Sequence, residues 1–305
     1  MALVRRPLGA ALSLLLFVAA PPAAAETVTT RHDGTTLHGE LRQAPDRPLS
    51  EGVVLMVHGT KGHRGMPIIR KAAERFKDQG WSTLAINLSL GQPDRTGFLA
   101  CDGVHAHRHA EAVAEIGAWM DWLKKHGAGA VALMGHSRGG NQAAWYIAEG
   151  AGPAADAAVL LAPMTWDPER AARAYEDRFG TALEPLLAEA RERRPEAIME
   201  VPGFLHCGEP TRVTAASFVS YYGNDRRKDT PSLLPEIDVP TLVLVGDSDQ
   251  RVPDLADRLQ GLPEAANREA AVLTGTGHRF QGRLDTAIDR AVDFLAEHPI
   301  PASED

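Results

Sequence analysis

A serine, an aspartate and a histidine, each placed just after an apolar run, are the residues of this 305-residue chain best suited to do chemistry. Ser137 is the centre of Gly135-His136-Ser137-Arg138-Gly139, a G-x-S-x-G pentapeptide that follows the apolar run at 130–134. In that context the pentapeptide predicts a tight strand-to-helix turn that holds the serine oxygen in the open. Glycine is needed on both sides, because a side chain there would collide with the neighbouring strand or helix. A serine hydroxyl is a poor nucleophile at neutral pH and needs a base within hydrogen-bond reach. Of the twelve histidines, His278 is the one that follows the last apolar run, and an imidazole can take and return a proton. That imidazole needs an acceptor to fix its tautomer, and Asp249 stands in the polar stretch 246–253 after another apolar run. Negative charge developing on the substrate oxygen needs N–H donors, and the turn His58-Gly59-Thr60 after residues 53–57 can supply them.

These residues need a scaffold, and the apolar periodicity provides one. Residues 27–31 and 35–41, split by Asp33-Gly34, predict an opening hairpin. Apolar runs at 53–57, 130–134, 157–161, 241–245 and 270–273, and the stretch 81–88, predict strands, most of them buried on both faces. Between them, helical spacing predicts helices at 67–79, 104–126, 140–149, 254–260 and 283–297, the last stopped by Pro299 and Pro301. Alternating strands and helices imply a doubly wound α/β fold with a mostly parallel sheet. The alternation breaks at 164–236, a charged, Pro-punctuated stretch with its clearest helix at 184–194 and no strong buried strand. It reads as a helical cap inserted after the sixth core strand, with the core formed by 26–163 and 237–305. In such sheets, sites lie beyond the carboxyl ends of the strands, where all four of the chemical groups above fall.

The order Ser137, Asp249, His278, together with the His58-Gly59 turn, the 135–139 pentapeptide, the Gly-Asp-x-Asp-x-x-Val-Pro stretch at 246–253 and Gly277-His278, resembles the α/β-hydrolase superfamily over nearly the whole chain after residue 25. The resemblance implies Ser137 as nucleophile, His278 as base and Asp249 as acid, with the backbone N–H groups of Thr60 and Arg138 forming the oxyanion hole. Asp247 and Asp167 are the competing acids; spacing to Val252-Pro253 favours Asp249. The function implied is ester hydrolysis through an acyl-enzyme, with a small-molecule ester as substrate and no cofactor. An amidase, peptidase or acyltransferase uses the same triad, and a binding protein on the same fold is the reading from another class.

The N-terminus predicts export. Arg5 and Arg6 precede an apolar core at 8–20, and Ala23-Ala24-Ala25 supplies a signal-peptidase pattern, so residues 1–25 read as a leader cleaved after Ala25 and the mature chain as periplasmic or secreted. The core is shorter than the roughly 20 residues that span a bilayer, and no later segment reaches that length. Removing the two leader arginines takes the net charge from −8 to −10, which disfavours nucleic acid and anionic membranes as partners.

Cys101 and Cys207 are the only cysteines. In an oxidising compartment an even pair is expected to join, the alternative being two separate buried thiols. The loop closed would be long, with a stabilisation of about 4–5 kcal/mol at most. His105, His107 and His109 raise a metal reading, but on a helix the middle ring points away from the other two. A three-ligand site is therefore not expected; two histidines with Asp102, or simply a polar first turn, remain. His63 and Arg64 either line the pocket or sit in a solvated loop. Trp166, Phe179, Phe204, His206, Phe218, Tyr221 and Tyr222 in the insertion suit either packing or a pocket wall. His136 is expected to pack or hydrogen-bond beneath the serine turn.

Overall fold

The computed structural model describes residues 25–45 and 47–298. The expected leader, but for Ala25, and the proline stop at 299 and 301 lie outside the described residues. The chain opens with a hairpin, β1 (Glu26–His32) and β2 (Thr35–Arg42). Asp33 and Gly34 both take positive φ at its turn, which matches the twist of the flanking strands. There follow β3 (Val53–Val57), α1 (Pro67–Asp78), β4 (Ser82–Ile86), β5 (Val104–His105), α2 (Glu111–Lys125), β6 (Val131–His136), α3 (Arg138–Ala148) and β7 (Ala157–Leu161). The next segment holds α4 (Pro168–Phe179), α5 (Leu183–Glu192), β8 (Ile198–Phe204), β9 (Cys207–Thr214), α6 (Ala215–Tyr222) and α7 (Thr230–Leu233). The chain then completes the sheet with β10 (Thr241–Gly246), α8 (Leu255–Gln260), β11 (Arg268–Leu273) and α9 (Leu284–Glu297).

Eight strands form one sheet in the order β1-β2-β4-β3-β6-β7-β10-β11, with only β1 and β2 antiparallel to their neighbours. The fold is therefore α/β and mostly parallel, as expected. Strands β3, β4, β6, β7 and β10 are buried along their whole length, so their apolar runs are the centre of the core. Helix α1 packs on α9 and α2 on α3, and these pairs flank the sheet. From β3 the chain moves to β4 on one side and later to β6 on the other, which makes the β3–β6 boundary the switch point where a crevice opens. Val57 pairs with Gly135 there, so the turn at 58–60 lies beside residues 136–138.

Two expectations are corrected. The helix foreseen at 104–126 begins only at Glu111. Val104 and His105 pair instead with Arg212 and Val213 of β9, and the His107 carbonyl accepts a hydrogen bond from Ser217 Oγ at 2.6 Å. Those partners come from the inserted segment, and they outweigh the local helical tendency. Nor is that segment only helical: β8 and β9 form an antiparallel hairpin which, with β5, makes a three-stranded sheet. Strand β8 alternates exposed Ile198 and Glu200 with buried Met199 and Val201. Pro202 and Gly203 break that pattern, and the register shifts between Val201 and Gly203. The segment also has an apolar cluster of its own, including Tyr175, Leu187, Val201, Phe204 and Phe218.

Cys101 and Cys207 are paired, with 5.5 Å between their Cα atoms, and the bond ties the loop after β4 to the start of β9. Among the described residues no helix is long and apolar enough to cross a membrane. The intact mass without reductant should be two hydrogens below that of the dithiol chain. The Cys101→Ser, Cys207→Ser double variant should lose up to about 4–5 kcal/mol of stability in chemical denaturation. Two alkylatable thiols in the unreduced, denatured protein would contradict the pairing.

Candidate active site

The serine turn is built from close backbone approach. A Cβ at Gly135 would overlap the Gly139 carbonyl, and one at Gly139 would overlap the carbonyls of Val57 and His58. Ser137 itself has φ 56° and ψ −122°, a conformation that non-glycine residues seldom adopt. Its backbone N–H is held by Leu161 O at 2.9 Å, and its carbonyl accepts from Asn141 and Met164. The side chain is left free to face the crevice.

Three residues far apart in sequence meet there. His278 Nε2 lies 2.8 Å from Ser137 Oγ, and His278 Nδ1 lies 2.8 Å from Asp249 Oδ2. With Nδ1–H donating to the carboxylate, Nε2 is free to accept the serine proton. Asp249 Oδ1 accepts from the backbone N–H groups of Arg251 at 2.8 Å and Val252 at 3.2 Å. Burial works against its ionisation, but the His278 hydrogen bond and charge and these two N–H groups outweigh it and bring its pKa below the ordinary value. Asp247 has a different place. It accepts from Ser248 Oγ and from the backbone N–H groups of Gly275 and Thr276, bracing the loop that carries His278. Asp167 caps α4 through the Arg170 N–H. Neither faces the imidazole.

The turn at 58–60 is fixed from below. His58 Nε2 accepts from the Leu88 N–H at 3.2 Å and from Arg95 Nη2 at 2.8 Å, so Nδ1 carries the proton and donates to Gly59 O at 2.8 Å. Burial, then the charge of Arg95, pushes the His58 pKa down to about 3. Arg95 also donates to the carbonyls of Gly62 and Leu88. Arg138 Nε donates to Thr60 Oγ1 at 3.0 Å and ties the turn to the start of α3. The backbone N–H groups of Thr60 and Arg138 have no acceptor among the described residues. His136, as expected, hydrogen-bonds under the turn: its Nε2–H donates to the His278 carbonyl at 2.9 Å. Burial, then the charge of His278, pushes its pKa down to about 4.

A cavity of about 840 Å³ opens over Ser137, lined in part by residues between Met164 and Tyr222. Trp166, Phe179, His206, Tyr221 and Tyr222 line it, while Phe204 and Phe218 pack in the segment's own core. His63 stacks edge-on against Phe98 and Arg64 N–H bonds Asn87, so neither lines the cavity. The three clustered histidines are not on a helix. His105 stacks near Phe204, His107 Nδ1 lies 2.9 Å from Tyr221 Oη, and His109 stacks on Tyr221. They pack against Phe204 and Tyr221, and burial leads the causes that lower all three pKa values. Among the described residues no three His, Cys, Asp or Glu side chains group as a metal site. Four arginines at the cavity, 138, 178, 251 and 279, are not evident from the sequence, since arginine lacks a spacing signature of its own.

Chemically, the arrangement can pass a proton from a serine to an imidazole steadied by a carboxylate, beside two unengaged N–H groups. The buried histidines have a consequence for stability. His58 and His136 stay neutral in the fold at pH values where the unfolded chain protonates them, so unfolding takes up protons. Stability should therefore fall as pH drops from about 6.5 toward 4, the window between unfolded and folded values. Urea midpoints measured across that window should decline, and His136→Gln should flatten the slope. An equal slope in variant and parent would contradict this.

Residues 49–281 match the family model described as serine aminopeptidase, S33. No curated protein matches the chain at a significant level. Solved structures with the same fold include Est1E from Butyrivibrio proteoclasticus, with 20% identity and a TM-score of 0.64 over 89% of this chain and 98% of that one. A Pyrococcus furiosus esterase superposes with 16% identity and a TM-score of 0.59, covering 91% of this chain and 92% of the other. A Paleococcus ferrophilus monoacylglycerol lipase has 18% identity and a TM-score of 0.61, covering 86% and 99%. With its match running from before β3 to the residues just past His278, the chain belongs to the serine aminopeptidase S33 family of α/β hydrolases.

Proposed function

We propose that this protein is a serine hydrolase that cleaves small-molecule esters. The observation that carries the reading is the continuous hydrogen-bonded series Ser137, His278, Asp249, of which the serine and the histidine line the cavity. Ser137 Oγ attacks the ester carbonyl as His278 Nε2 takes its proton. The N–H groups of Thr60 and Arg138 receive the charge that develops on the carbonyl oxygen. His278 then returns the proton to the departing alcohol, leaving an acyl group on Ser137. Water, deprotonated by His278, releases the acid and restores the serine. Asp249 holds the imidazole tautomer and balances the imidazolium. No step calls for a cofactor.

Residues 164–236 act as a cap on a core formed by 26–163 and 237–305, and the disulfide limits how far the cap can move. Export follows from residues 1–25, with the mature chain in the periplasm or outside the cell. Names among the structural relatives, an esterase and a monoacylglycerol lipase, favour an ester over an amide. The family's aminopeptidase name favours a peptide bond, cleaved by the same three residues.

A series of 4-nitrophenyl esters beside a series of aminoacyl 4-nitroanilides separates these readings. Turnover of the esters is expected, with Ser137→Ala, His278→Ala and Asp249→Asn each lowering kcat by about 10³–10⁴ while the fold is kept. Asp247→Asn should be milder than Asp249→Asn; the reverse order would overturn the assignment of the acid. Preference for the anilides would replace ester by peptide cleavage. Inert folded protein in both series would leave only a binding role.

A further inference from the structure

The cavity is a cationic site in an acidic chain. Arginines from four separate places reach it: Arg138 in the first turn of α3, Arg178 in α4, Arg251 after β10, and Arg279 next to His278. None of these four pairs with a carboxylate among the described residues. Nearby arginines of the same region do pair, Arg170 with Asp254, Arg227 with Asp225 and Arg258 with Asp229. One carboxylate, the exposed Asp177, lines the cavity against the four cations.

Arg138 carries the inference furthest, because it is buried. Its Nε donates to the Thr60 hydroxyl, its Nη1 lies 3.5 Å from His109 Nδ1, and its Cζ stands 5.1 Å from the centre of the Tyr221 ring. All three partners are uncharged, since burial, then the charge of Arg138 itself, keeps His109 neutral and burial keeps Tyr221 protonated. A guanidinium taken out of water without a counter-ion is costly, and a bound anion offsets that cost. The planar fork of arginine also suits the two oxygens of a carboxylate or phosphate. His206, against Arg178, is held neutral at a pKa of about 4 by burial and then by the arginine charge.

We propose that the substrate is an ester bearing a second, anionic group, a carboxylate or a phosphate, which seats against Arg138 while the ester carbonyl lies at Ser137. The exposed Arg178, Arg251 and Arg279 hold a positive field at the mouth that favours entry of such a molecule. This rests on the hydrolase reading above and specifies its substrate. The bond changes are those of ester hydrolysis; the anion makes and breaks no bond.

The test is kcat/KM on matched pairs: ethyl hexanoate against monoethyl adipate for a charge on the acyl side, and 4-methylphenyl acetate against 4-acetoxybenzoate for the alcohol side. A 4-acetoxyphenyl phosphate arm tells phosphate from carboxylate. In at least one comparison the anionic ester should be favoured by about tenfold or more, chiefly through KM, and less so at high salt. Arg138→Gln should lower that ratio by about tenfold and Arg138→Lys should restore part of it. If Arg138→Gln does not fold, Arg251→Gln and Arg279→Gln, at exposed positions, should each lower it roughly two- to fivefold. Equal or better turnover of the neutral ester in every pair would overturn the proposal and leave the hydrolase intact. Failure of both members of every pair would count against the hydrolase reading itself.

Discussion

Everything at this site depends on how closely three backbone segments approach one another at the carboxyl ends of β3 and β6. Gly135 and Gly139 lie against each other, and Gly139 lies against the carbonyls of Val57 and His58, with no room for a side chain at either position. That contact forces the sharp passage from β6 into α3 and holds Ser137 at φ 56°. A strained residue persists only where its surroundings over-determine it, and here the sheet register on one side and the helix on the other do so. The same approach brings the Gly59-Thr60 turn beside Ser137, so the serine and the N–H groups come from one packing event.

The rest of the site is held by buried groups that stay uncharged. His58 fixes the donor turn through Gly59 O, and His136 fixes the backbone of His278. Both are histidines whose proton is pinned by a single acceptor, which makes them rigid struts near neutral pH. Arg95 and Arg138 are buried cations with contrasting surroundings. Arg95 is satisfied by backbone carbonyls beneath the turn, whereas Arg138 faces the cavity with only a hydroxyl and aromatic rings around it. The disulfide and the β5–β9 pairing tie β9 to the loop that follows β4.

The core elements and the three residues at its strand ends were legible in the sequence because each follows an apolar run buried on both faces, a signal set by local composition. Ser137, Asp249 and His278 could be found by asking what stands just past those runs. The residues at 104–110 misled, because their helical spacing is real but the partner that pulls them extended, β9, lies about a hundred positions away. Strand β8 was hidden by Pro202 and Gly203 at its bulge. The cationic lining was invisible for a different reason. Arg138, Arg178, Arg251 and Arg279 are unremarkable in sequence, and only the fold brings them to one cavity. His136 was half legible: its place under the turn followed from the pentapeptide, but its acceptor, a carbonyl on the last loop, did not.

The proposed mechanism makes Ser137 an activated nucleophile. Labelling with a fluorophosphonate probe, followed by peptide mass mapping, tests it most directly. The folded protein should take up one equivalent at Ser137, and Ser137→Ala should take up none. Folded protein that stays unlabelled, or that is labelled on another residue, would contradict that role for Ser137.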